Sequence, residues 1–416
     1  MKYKIWIVII ILGFTSCSKQ HYTIIKNVNV FDGDKVIENV NFVFNENGIK
    51  SISTDSKHFK YSTIIDGKDK TILPPLINAH VHVRSSENLK EAQSVGIFAM
   101  LDMFSTDRRA NMFRTYNDSI KYCKFYSSNV GATSPGGHGT QFGVKIPTIN
   151  DTLSSSQFVK DRVAENADYI KITHELSMSI LDSIKLIEVI KETHNQNKIA
   201  LAHISDLQSG LDVINLNIDG LAHIWYRKNS ISSNEDLKLI KEKNAFIIPT
   251  LSVIKKVINE AKVSGIDSIY LSLDQLKNEV RKLYSNGISI LAGTDSPNLG
   301  MDYTSQFFEE LILLKECGLS DIDVLKSATI NIYDKFKLRE FERLKTNGKV
   351  NFILVKGMPH LQIRDIKNES FLIIYYWLNL IGFAGTPTAV QFSGKDLETT
   401  APDPIIVFLP IFNDFK

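Results

Sequence analysis

The amino-acid sequence predicts an α/β fold, a closed (β/α)8 TIM barrel next to a smaller β-rich region. From Thr71 onwards, short apolar runs alternate with helical stretches, which is the pattern of parallel strands joined by crossover helices. Between residues 22 and 70 the pattern differs, because short strand-like runs are separated by turn residues. Reactive groups gather at the carboxyl ends of the strands in such a barrel, so polar residues there are candidates for a functional site.

The charge balance excludes one broad class of partner. Lys and Arg together number 48 against 46 Asp and Glu, so the formal net charge of the 416-residue chain is +2. Proteins that bind nucleic acid carry a clear basic excess. The net charge therefore gives no reason to expect binding to nucleic acid, and we expect a small-molecule substrate.

The N-terminus predicts export. A basic start is followed by an apolar run over residues 5–14, which has the length of a signal peptide and is short for a membrane span. The run ends in Phe14-Thr-Ser-Cys17, which resembles a bacterial lipobox. Residues 1–17 are therefore predicted to be a lipoprotein signal, with lipid on Cys17 anchoring the exported protein to a membrane. An uncleaved N-terminal anchor and an ordinary secretory signal with an incidental cysteine are the alternatives, and both also export the protein.

The other two cysteines, Cys123 and Cys317, lie in unlike contexts and lack metal-ligand spacing. They are predicted to be buried thiols, with a disulfide as the open alternative.

Residues 22–70 predict a small β domain. The stretches Val28-Asn-Val-Phe-Asp-Gly33 and Asn45-Glu-Asn-Gly48 supply the residue types of hairpin turns.

Eight segments after residue 70 are predicted strands of the barrel. They are residues 72–83, 97–103, 124–133, 168–173, 198–204, 219–224, 245–251 and 289–295. Amphipathic helices are expected between them and after the last strand. One is predicted over residues 320–336, where Ser320 and Asp323 have the spacing of a capping box.

The ends of these strands carry residue types that commonly bind metal ions in proteins. His80 and His82 are separated by one residue on an apolar strand, so both rings lie on the same face. Other candidates follow at the fourth, fifth, sixth and eighth strands, and the full predicted metal set is His80, His82, Lys171, His203, His223 and Asp295. Because a barrel directs all of these strand ends at one small volume, the set predicts a single metal centre.

Lys171 requires its own explanation, since an ammonium group repels a cation. Burial inside a barrel strand would lower its pKa and leave a free amine. A free amine can take up carbon dioxide to form a carbamate, whose two oxygens could bridge two metal ions. A buried lysine paired with an acid is the alternative.

With these residues in this order, the sequence resembles the amidohydrolase superfamily, in particular its prolidase/dipeptidase and imidazolonepropionase-like branch. The resemblance extends from about residue 23 to 365 and includes the following stretches: Leu73-Pro-Pro-Leu-Ile-Asn-Ala-His80, Thr133-Ser-Pro-Gly-Gly-His-Gly139, Gly293-Thr-Asp-Ser-Pro297 and Ala328-Thr329.

The resemblance implies a barrel over residues 71–344 and a β-sandwich formed from both chain ends, residues 22–70 and about 345–368. It also implies one or two divalent metal ions, commonly zinc. In the two-metal form, His80, His82 and Asp295 bind one ion, His203 and His223 bind the other, and carboxylated Lys171 bridges them.

Some residues depart from the family pattern. Pro74-Pro75 replaces the usual Pro-Gly, and Asn78 replaces an aspartate. Asn351 stands where the family commonly has an Ala-Asp-Leu type sequence. The tail over residues 369–416 does not match the family, and we predict an atypical C-terminal segment.

The chemistry expected of such a centre is attack on a carbonyl carbon by metal-bound hydroxide. Asp295 is the candidate for moving the water proton to the leaving nitrogen, and the loop residue His138 is the candidate for holding the carbonyl oxygen or the oxyanion. His174, Tyr226 and Arg227 follow barrel strands and are weaker candidates for the pocket, whereas Asp102 is interpreted as a structural hydrogen-bonding group.

The predicted function is hydrolysis of a carbon-nitrogen bond in a dipeptide-like or N-acyl amino acid substrate. Hydrolysis of a cyclic amide, an ester or a lactone at the same site, or an inactive binding protein, are the alternatives.

Overall fold

The structure is a computed structural model that describes residues 21–55, 59, 62–367 and 371–375. The predicted signal segment with Cys17, and the tail after residue 375, lie outside the described residues. In the described part, the strands are β1 Tyr22–Phe31, β2 Val36–Asn45, β3 Gly48–Ser53, β4 Ser62–Asp66, β5 Lys70–Leu73, β6 Leu76–Val81, β7 Ile97–Asp102, β8 Lys124–Ser127, β9 Ile170–Thr173, β10 Ala200–His203, β11 Gly220–Ala222, β12 Phe246–Ile248, β13 Asn351–Lys356 and β14 Phe371–Tyr375.

The α-helices of the same residues lie mainly between the barrel strands. They are α1 Ser86–Ser94, α2 Asp107–Arg114, α3 Ser155–Ala164, α4 Ser183–Asn195, α5 Leu207–Asn215, α6 Asn234–Glu242, α7 Leu251–Val263, α8 Leu273–Ser285, α9 Ser305–Glu316, α10 Asp321–Ser327 and α11 Ile330–Phe336.

A mixed seven-stranded sheet contains strands from both parts of the chain that flank the barrel. Its order is β14-β13-β5-β1-β2-β3, with β4 paired to β1. The antiparallel hairpins β1–β2 and β2–β3 turn at the two places where the sequence predicts turns. Phe42, Phe44 and Phe352 pack in the core of this sheet, with ring centroids 4.8 and 5.3 Å apart across β2 and β13.

The predicted atypical tail contributes to this sheet at its beginning. β14, over residues 371–375, pairs antiparallel with β13, which in turn pairs antiparallel with β5. The first part of the apolar run of the tail is therefore an ordered strand.

The single strand predicted over residues 72–83 is wrong, because the structure divides it. β5 ends at Leu73 in the mixed sheet, and β6 begins at Leu76 in the barrel. Pro74 and Pro75 separate them, since proline has no N–H to donate to a strand ladder and restricts the residue before it.

The barrel is built from two parallel sheets joined by bridges. β6, β7 and β8 form one sheet, and β9, β10, β11 and β12 form the other. Ala132 bridges to Ile172 on one side, which brings the end of the third predicted segment beside β9.

The eighth segment closes the barrel on the other side, although it is not a regular strand as predicted. It is held to β12 by a hydrogen bond from Leu291 N to Ile247 O, and to β6 by one from Ala79 N to Ala292 O, each 2.9 Å long. Asp295 has a φ of +63°, which lies outside the extended region and interrupts the strand.

The helix predicted over residues 320–336 is also divided, into α10 and α11. Ser320 caps α10 by accepting a hydrogen bond from Asp323 N at 3.1 Å, as the sequence predicts. The chain breaks at Ala328 and Thr329, and the carbonyl oxygen of Ala328 accepts a hydrogen bond from Ile77 N of β6 at 2.8 Å. The break therefore allows a helix carbonyl to bond to a barrel strand.

Cys123 and Cys317 are buried free thiols, which confirms the prediction. Of the helices in the described residues, none combines the length and the apolar character needed to cross a membrane.

Candidate metal centre

The strand ends bring the predicted histidines and Asp295 together. His80 Nε2 and His82 Nε2 lie 3.1 and 2.9 Å from the same oxygen, Asp295 Oδ1. The His223 ring lies between those of His80 and His203, with centroid separations of 4.8 and 4.7 Å. Three barrel strands, β6, β10 and β11, and the eighth segment thus contribute to one cluster.

Several buried polar atoms of this cluster have no hydrogen bond of acceptable geometry, although His80 and His82 lie close to Asp295. Both ring nitrogens of His80, His203 Nδ1 and Asp295 Oδ1 are buried without one in the described part of the chain. Unpaired buried polar atoms carry a large desolvation cost. His80, His223 and Asp295 each offer a ligand atom, and these three atoms lie within 4.8 Å of one another. Imidazole and carboxylate are ligands of zinc and similar divalent ions, so the donor set fits a metal.

The charge states of the cluster also suit a cation. Burial lowers the pKa of His80 to about 3, so its ring is neutral and has a lone pair at physiological pH. Burial by itself would raise the pKa of Asp295, but the histidines around it outweigh that effect and hold the pKa well below its usual range. Neutral imidazoles around an ionised carboxylate are the form in which these groups bind metals.

Lys171 lies inside the barrel beside this cluster, and its side chain is almost fully removed from solvent. Burial lowers its pKa to about 8, against the attraction of Asp295 and Asp102. No carboxylate of the described residues lies within ion-pair distance of its amine, so the acid-paired lysine considered from the sequence has no partner here. The lowered pKa increases the fraction of uncharged amine at neutral pH, and this is the form that can take up carbon dioxide.

His138 lies beside the cluster, where its glycine-rich loop places it. Gly136 and Gly139 adopt φ values of +74° and +105°, which favour glycine over any other residue. The half-buried His138 ring stacks on His203 with centroids 4.2 Å apart, and the Phe142 ring meets it edge-on with centroids 5.6 Å apart. His138 therefore lies at the edge of the cluster.

Asn78 and Thr294 hold the two segments that carry His80 and Asp295. Asn78 Nδ2 donates to Thr294 Oγ1 at 3.0 Å, and Asn78 Oδ1 accepts from Thr294 N at 3.2 Å and from His80 N at 3.3 Å. The amide that departs from the family pattern therefore supplies both a donor and an acceptor, which an ionised aspartate could not do.

Sequence reasoning missed the residues that orient His223. Thr250 Oγ1 is 2.7 Å from His223 Nδ1, which leaves Nε2 available to an ion. Thr250 has a φ of +51° at the start of α7, and the buried Glu310 accepts hydrogen bonds from the backbone N–H groups of Leu251 and Ser252 at 3.0 and 2.7 Å. No sequence motif connects Glu310 with a residue nearly ninety positions earlier.

Sequence reasoning also missed Glu175, although a signal existed. It follows the fourth strand directly, four residues after Lys171, and its Oε2 lies 3.8 Å from His203 Nε2. The signal is an acidic residue just beyond a strand that carries a predicted ligand.

Of the three further pocket candidates, Arg227 and Tyr226 lie together, whereas His174 contacts a helix. Arg227 extends over the rings of Tyr226 and Tyr270, with its guanidinium carbon 5.6 and 5.4 Å from their centroids, and it remains partly exposed. His174 is directed instead towards Asp212 on α5, with 3.6 Å between Nε2 and Oδ2.

Asp102 has the structural role expected of it. The buried carboxylate accepts hydrogen bonds from Val83 N at 2.7 Å and from Ser127 Oγ at 3.0 Å.

Comparison with known protein families matches residues 71–397 to the model of the amidohydrolase family. Among curated proteins, the chain is similar to a 5-methylthioadenosine/S-adenosylhomocysteine deaminase of Caldanaerobacter subterraneus subsp. tengcongensis. The two are 24% identical over 390 residues, which cover 82% of this chain and 86% of the relative.

The fold is shared with solved structures. A crystal structure of a Xaa-Pro dipeptidase with bound methionine in the active site gives a TM-score of 0.70 at 19% identity, over 85% of this chain and 98% of that one. A putative prolidase from Bifidobacterium longum gives 0.69 at 18% identity, over 86% and 93%.

Proposed function

This chain belongs to the amidohydrolase family and is a hydrolase of carbon-nitrogen bonds, and from that premise we propose a narrower activity. The proposed activity is metal-dependent hydrolysis of an amide bond in a dipeptide-like or N-acyl amino acid substrate. The observation that carries it is the cluster of buried imidazoles and Asp295, with unpaired ligand atoms next to a buried lysine.

The metal ions, which we propose to be zinc, would be held by His80, His82, His203, His223, Asp295 and carboxylated Lys171. One or two bound ions of this type lower the pKa of a water molecule and polarise the substrate carbonyl. The protein then has to move protons and hold the substrate.

Asp295 is the proposed proton carrier. Its Oδ1 faces His80 and His82, and its Oδ2 accepts a hydrogen bond from Asn298 Nδ2 at 2.8 Å, so the carboxylate is held from both sides. A carboxylate fixed at the cluster can accept a proton from water and deliver it to the amide nitrogen, which leaves poorly without protonation.

His138 is the proposed contact to the substrate oxygen. Its ring stacks on His203 at the edge of the cluster. Burial lowers its pKa to about 3, so the ring is neutral and can donate one hydrogen bond to a carbonyl or an oxyanion.

The surroundings of the cluster favour a substrate with a free carboxylate and an apolar side chain. Within the described residues, no carboxylate lies within ion-pair distance of Arg227, whose Nε donates to Ser205 Oγ at 3.5 Å. The guanidinium is thus available to bind an anionic substrate group. Phe142, which is 54% exposed beside His138, offers an apolar surface on another side.

Zinc-loaded protein assayed against dipeptides and N-acyl amino acids tests the proposal, with the same compounds amidated at the carboxyl end as matched controls. We expect turnover of the free acids and a clear preference for them over the amidated compounds. Arg227→Met should remove that preference. Paired amide and ester substrates distinguish an amide hydrolase from an ester or lactone hydrolase.

Metal content tests the catalytic part. The double variant His80→Ala/His82→Ala should lose both bound zinc and turnover, and normal hydrolysis by that variant would refute the mechanism. A binding protein on an inactive barrel would show neither stoichiometric metal nor turnover in the wild type.

The similarity to a curated deaminase over most of the chain supports a second candidate, deamination of an adenine-type ring. Release of ammonia from 5-methylthioadenosine or S-adenosylhomocysteine, without activity on any amide, would favour this candidate.

We also propose that the protein is exported and anchored to a membrane by lipid on Cys17. The support is the basic start, the apolar run and the lipobox-like sequence before Cys17. Cys17→Ala should move the protein from the membrane fraction to the soluble fraction of expressing cells, and an unchanged membrane fraction would refute lipid anchoring.

A further inference from the structure

Glu175 lies within ion-pair distance of one of the proposed metal ligands. It follows β9 and is 6% exposed. One of its oxygens, Oε2, lies 3.8 Å from His203 Nε2. Of the described carboxylates, only Glu175 lies within ion-pair distance of His203.

The other oxygen of Glu175 is held by two hydroxyl groups. Ser205 Oγ donates to Oε1 at 2.7 Å, and Ser177 Oγ donates to the same atom at 2.8 Å. Because one oxygen is engaged in this way, the carboxylate has a defined orientation and presents its second oxygen to His203.

The two nitrogens of His203 have different surroundings. Nε2 faces Glu175, whereas Nδ1 is buried and has no hydrogen-bond partner among the described residues. An imidazole that carries its proton on the nitrogen next to a carboxylate has a lone pair on the other nitrogen. The surroundings therefore favour a proton on Nε2 and a free Nδ1.

His223, from the neighbouring strand, has the opposite arrangement. Its Nδ1 is bonded to Thr250 and its Nε2 remains available. Two neighbouring ligands are thus oriented by different partners, a carboxylate for His203 and a hydroxyl for His223.

We propose that Glu175 is a positioning residue that selects the Nδ1-ligating form of His203 and makes this imidazole a stronger ligand. A carboxylate that accepts the second ring N–H of a metal-bound histidine fixes its orientation and raises its basicity. The inference depends on the metal site of the proposed function, since it concerns one ligand of that site.

Zinc affinity of Glu175→Gln, measured by competition with a chromophoric chelator, tests the inference. We expect the affinity to fall by about 10- to 100-fold, while the melting temperature of the metal-free protein stays close to that of the wild type. Glu165→Gln is the matched control. Glu165 follows α3, lies before β9 in the chain and away from the cluster, and pairs with Arg162. This control should bind zinc as the wild type does.

A double-mutant cycle separates positioning from general structural support. If Glu175 acts through His203, Glu175→Gln should have no further effect on zinc affinity in the His203→Ala background. The same loss in both backgrounds would overturn the proposal, as would unchanged zinc affinity of the single variant.

Glu175→Asp provides a second route if Glu175→Gln fails to fold. The shorter side chain keeps a carboxylate that can accept hydrogen bonds from the two serines but moves it away from His203, so zinc affinity should again fall. Wild-type zinc affinity of this variant would overturn the proposal. A wild-type protein that binds no zinc would refute the metal site as well. Normal zinc binding that is insensitive to Glu175 would refute only the positioning role.

Discussion

Substitution of Gly293 by alanine tests the close approach between the eighth segment and β6 on which the cluster depends. A Cβ at this position would lie 2.5 Å from Ile248 Cγ2, and 2.9 Å from both the Cβ and the backbone nitrogen of His80. Carbon atoms normally approach to about 3.5–4.0 Å. The segments would therefore have to separate by roughly 1 Å at the contact with Ile248.

The contact with His80 is the more damaging of the two. The Cγ2 methyl of Ile248 is attached directly to Cβ and moves only by a change of χ1. The backbone nitrogen of His80 cannot move without its strand, so Gly293→Ala should displace the strand that carries His80. Overpacking of this kind costs about 1–3 kcal/mol in the free energy of unfolding. Because Asp295 is only two residues away in the chain, the geometry between His80 and Asp295 should also change, and zinc affinity should fall.

Denaturant unfolding of the metal-free protein and chelator competition measure these two effects. Gly210→Ala is the matched control, because Gly210 lies within α5 and its nearest contact would be Leu221 Cδ1, the end of a side chain, at 3.3 Å. Alanine in place of glycine in a helix interior gains up to about 1 kcal/mol, so this control should not lose stability or zinc. Wild-type stability and zinc affinity in Gly293→Ala would refute the packing described for this segment.

Three further predictions concern the cluster and its support. Thr250→Val should lower zinc affinity by about 10- to 100-fold, since the partner of His223 Nδ1 is lost. Thr250→Ser keeps the hydroxyl group and should bind zinc as the wild type does, which chelator competition can measure. Equal zinc affinities of the two variants would contradict the orienting role. Asp295→Asn should lower kcat by at least about 10²-fold, the lower range for loss of a general acid or base, and a kcat within a few-fold of wild type would exclude it as the proton carrier. Burial raises the pKa of Glu310 from its usual 4.5 to about 7, so this carboxyl group binds a proton more tightly in the folded protein than in the unfolded chain. The stability that the protonated Glu310 contributes at low pH should be lost as the pH rises from about 4.5 through 7. The loss is about 3 kcal/mol at 1.36 kcal/mol per unit, and unfolding curves of wild type and Glu310→Gln should converge or cross over this range; parallel pH profiles would contradict the shift.

The predicted ligands could be found from the sequence because a parallel barrel relates strand order to position. Each strand end carries one or two polar residues after an apolar run, and the fold directs these ends to one volume. His80, His82, His203, His223 and Asp295 were recognisable for this reason, and the structure brings them together.

The supporting residues could not be found in the same way. Thr250 and Glu310 act on His223 through contacts between elements that are far apart in the chain. Their residue types are common in helix caps and cores, so neither the spacing nor the composition distinguishes them from ordinary structural residues.

The boundaries of the elements show a similar division. Pro74 and Pro75 were visible as strand breakers, yet the sequence did not show that the chain passes from one sheet to another at this point. The end of α10 at Ala328 was not visible either, because it depends on a hydrogen bond that Ile77 of β6 donates.

The sequence by itself determined the barrel class, the candidate ligands and the small-molecule character of the chemistry, because periodicity, charge and residue type are local properties of the chain. Only the tertiary structure decided which nitrogen remains available in His203 and in His223, which carboxylate lies beside His203, and how closely the eighth segment approaches β6. These features depend on distances between side chains from different strands, and such distances exist only after the chain has folded.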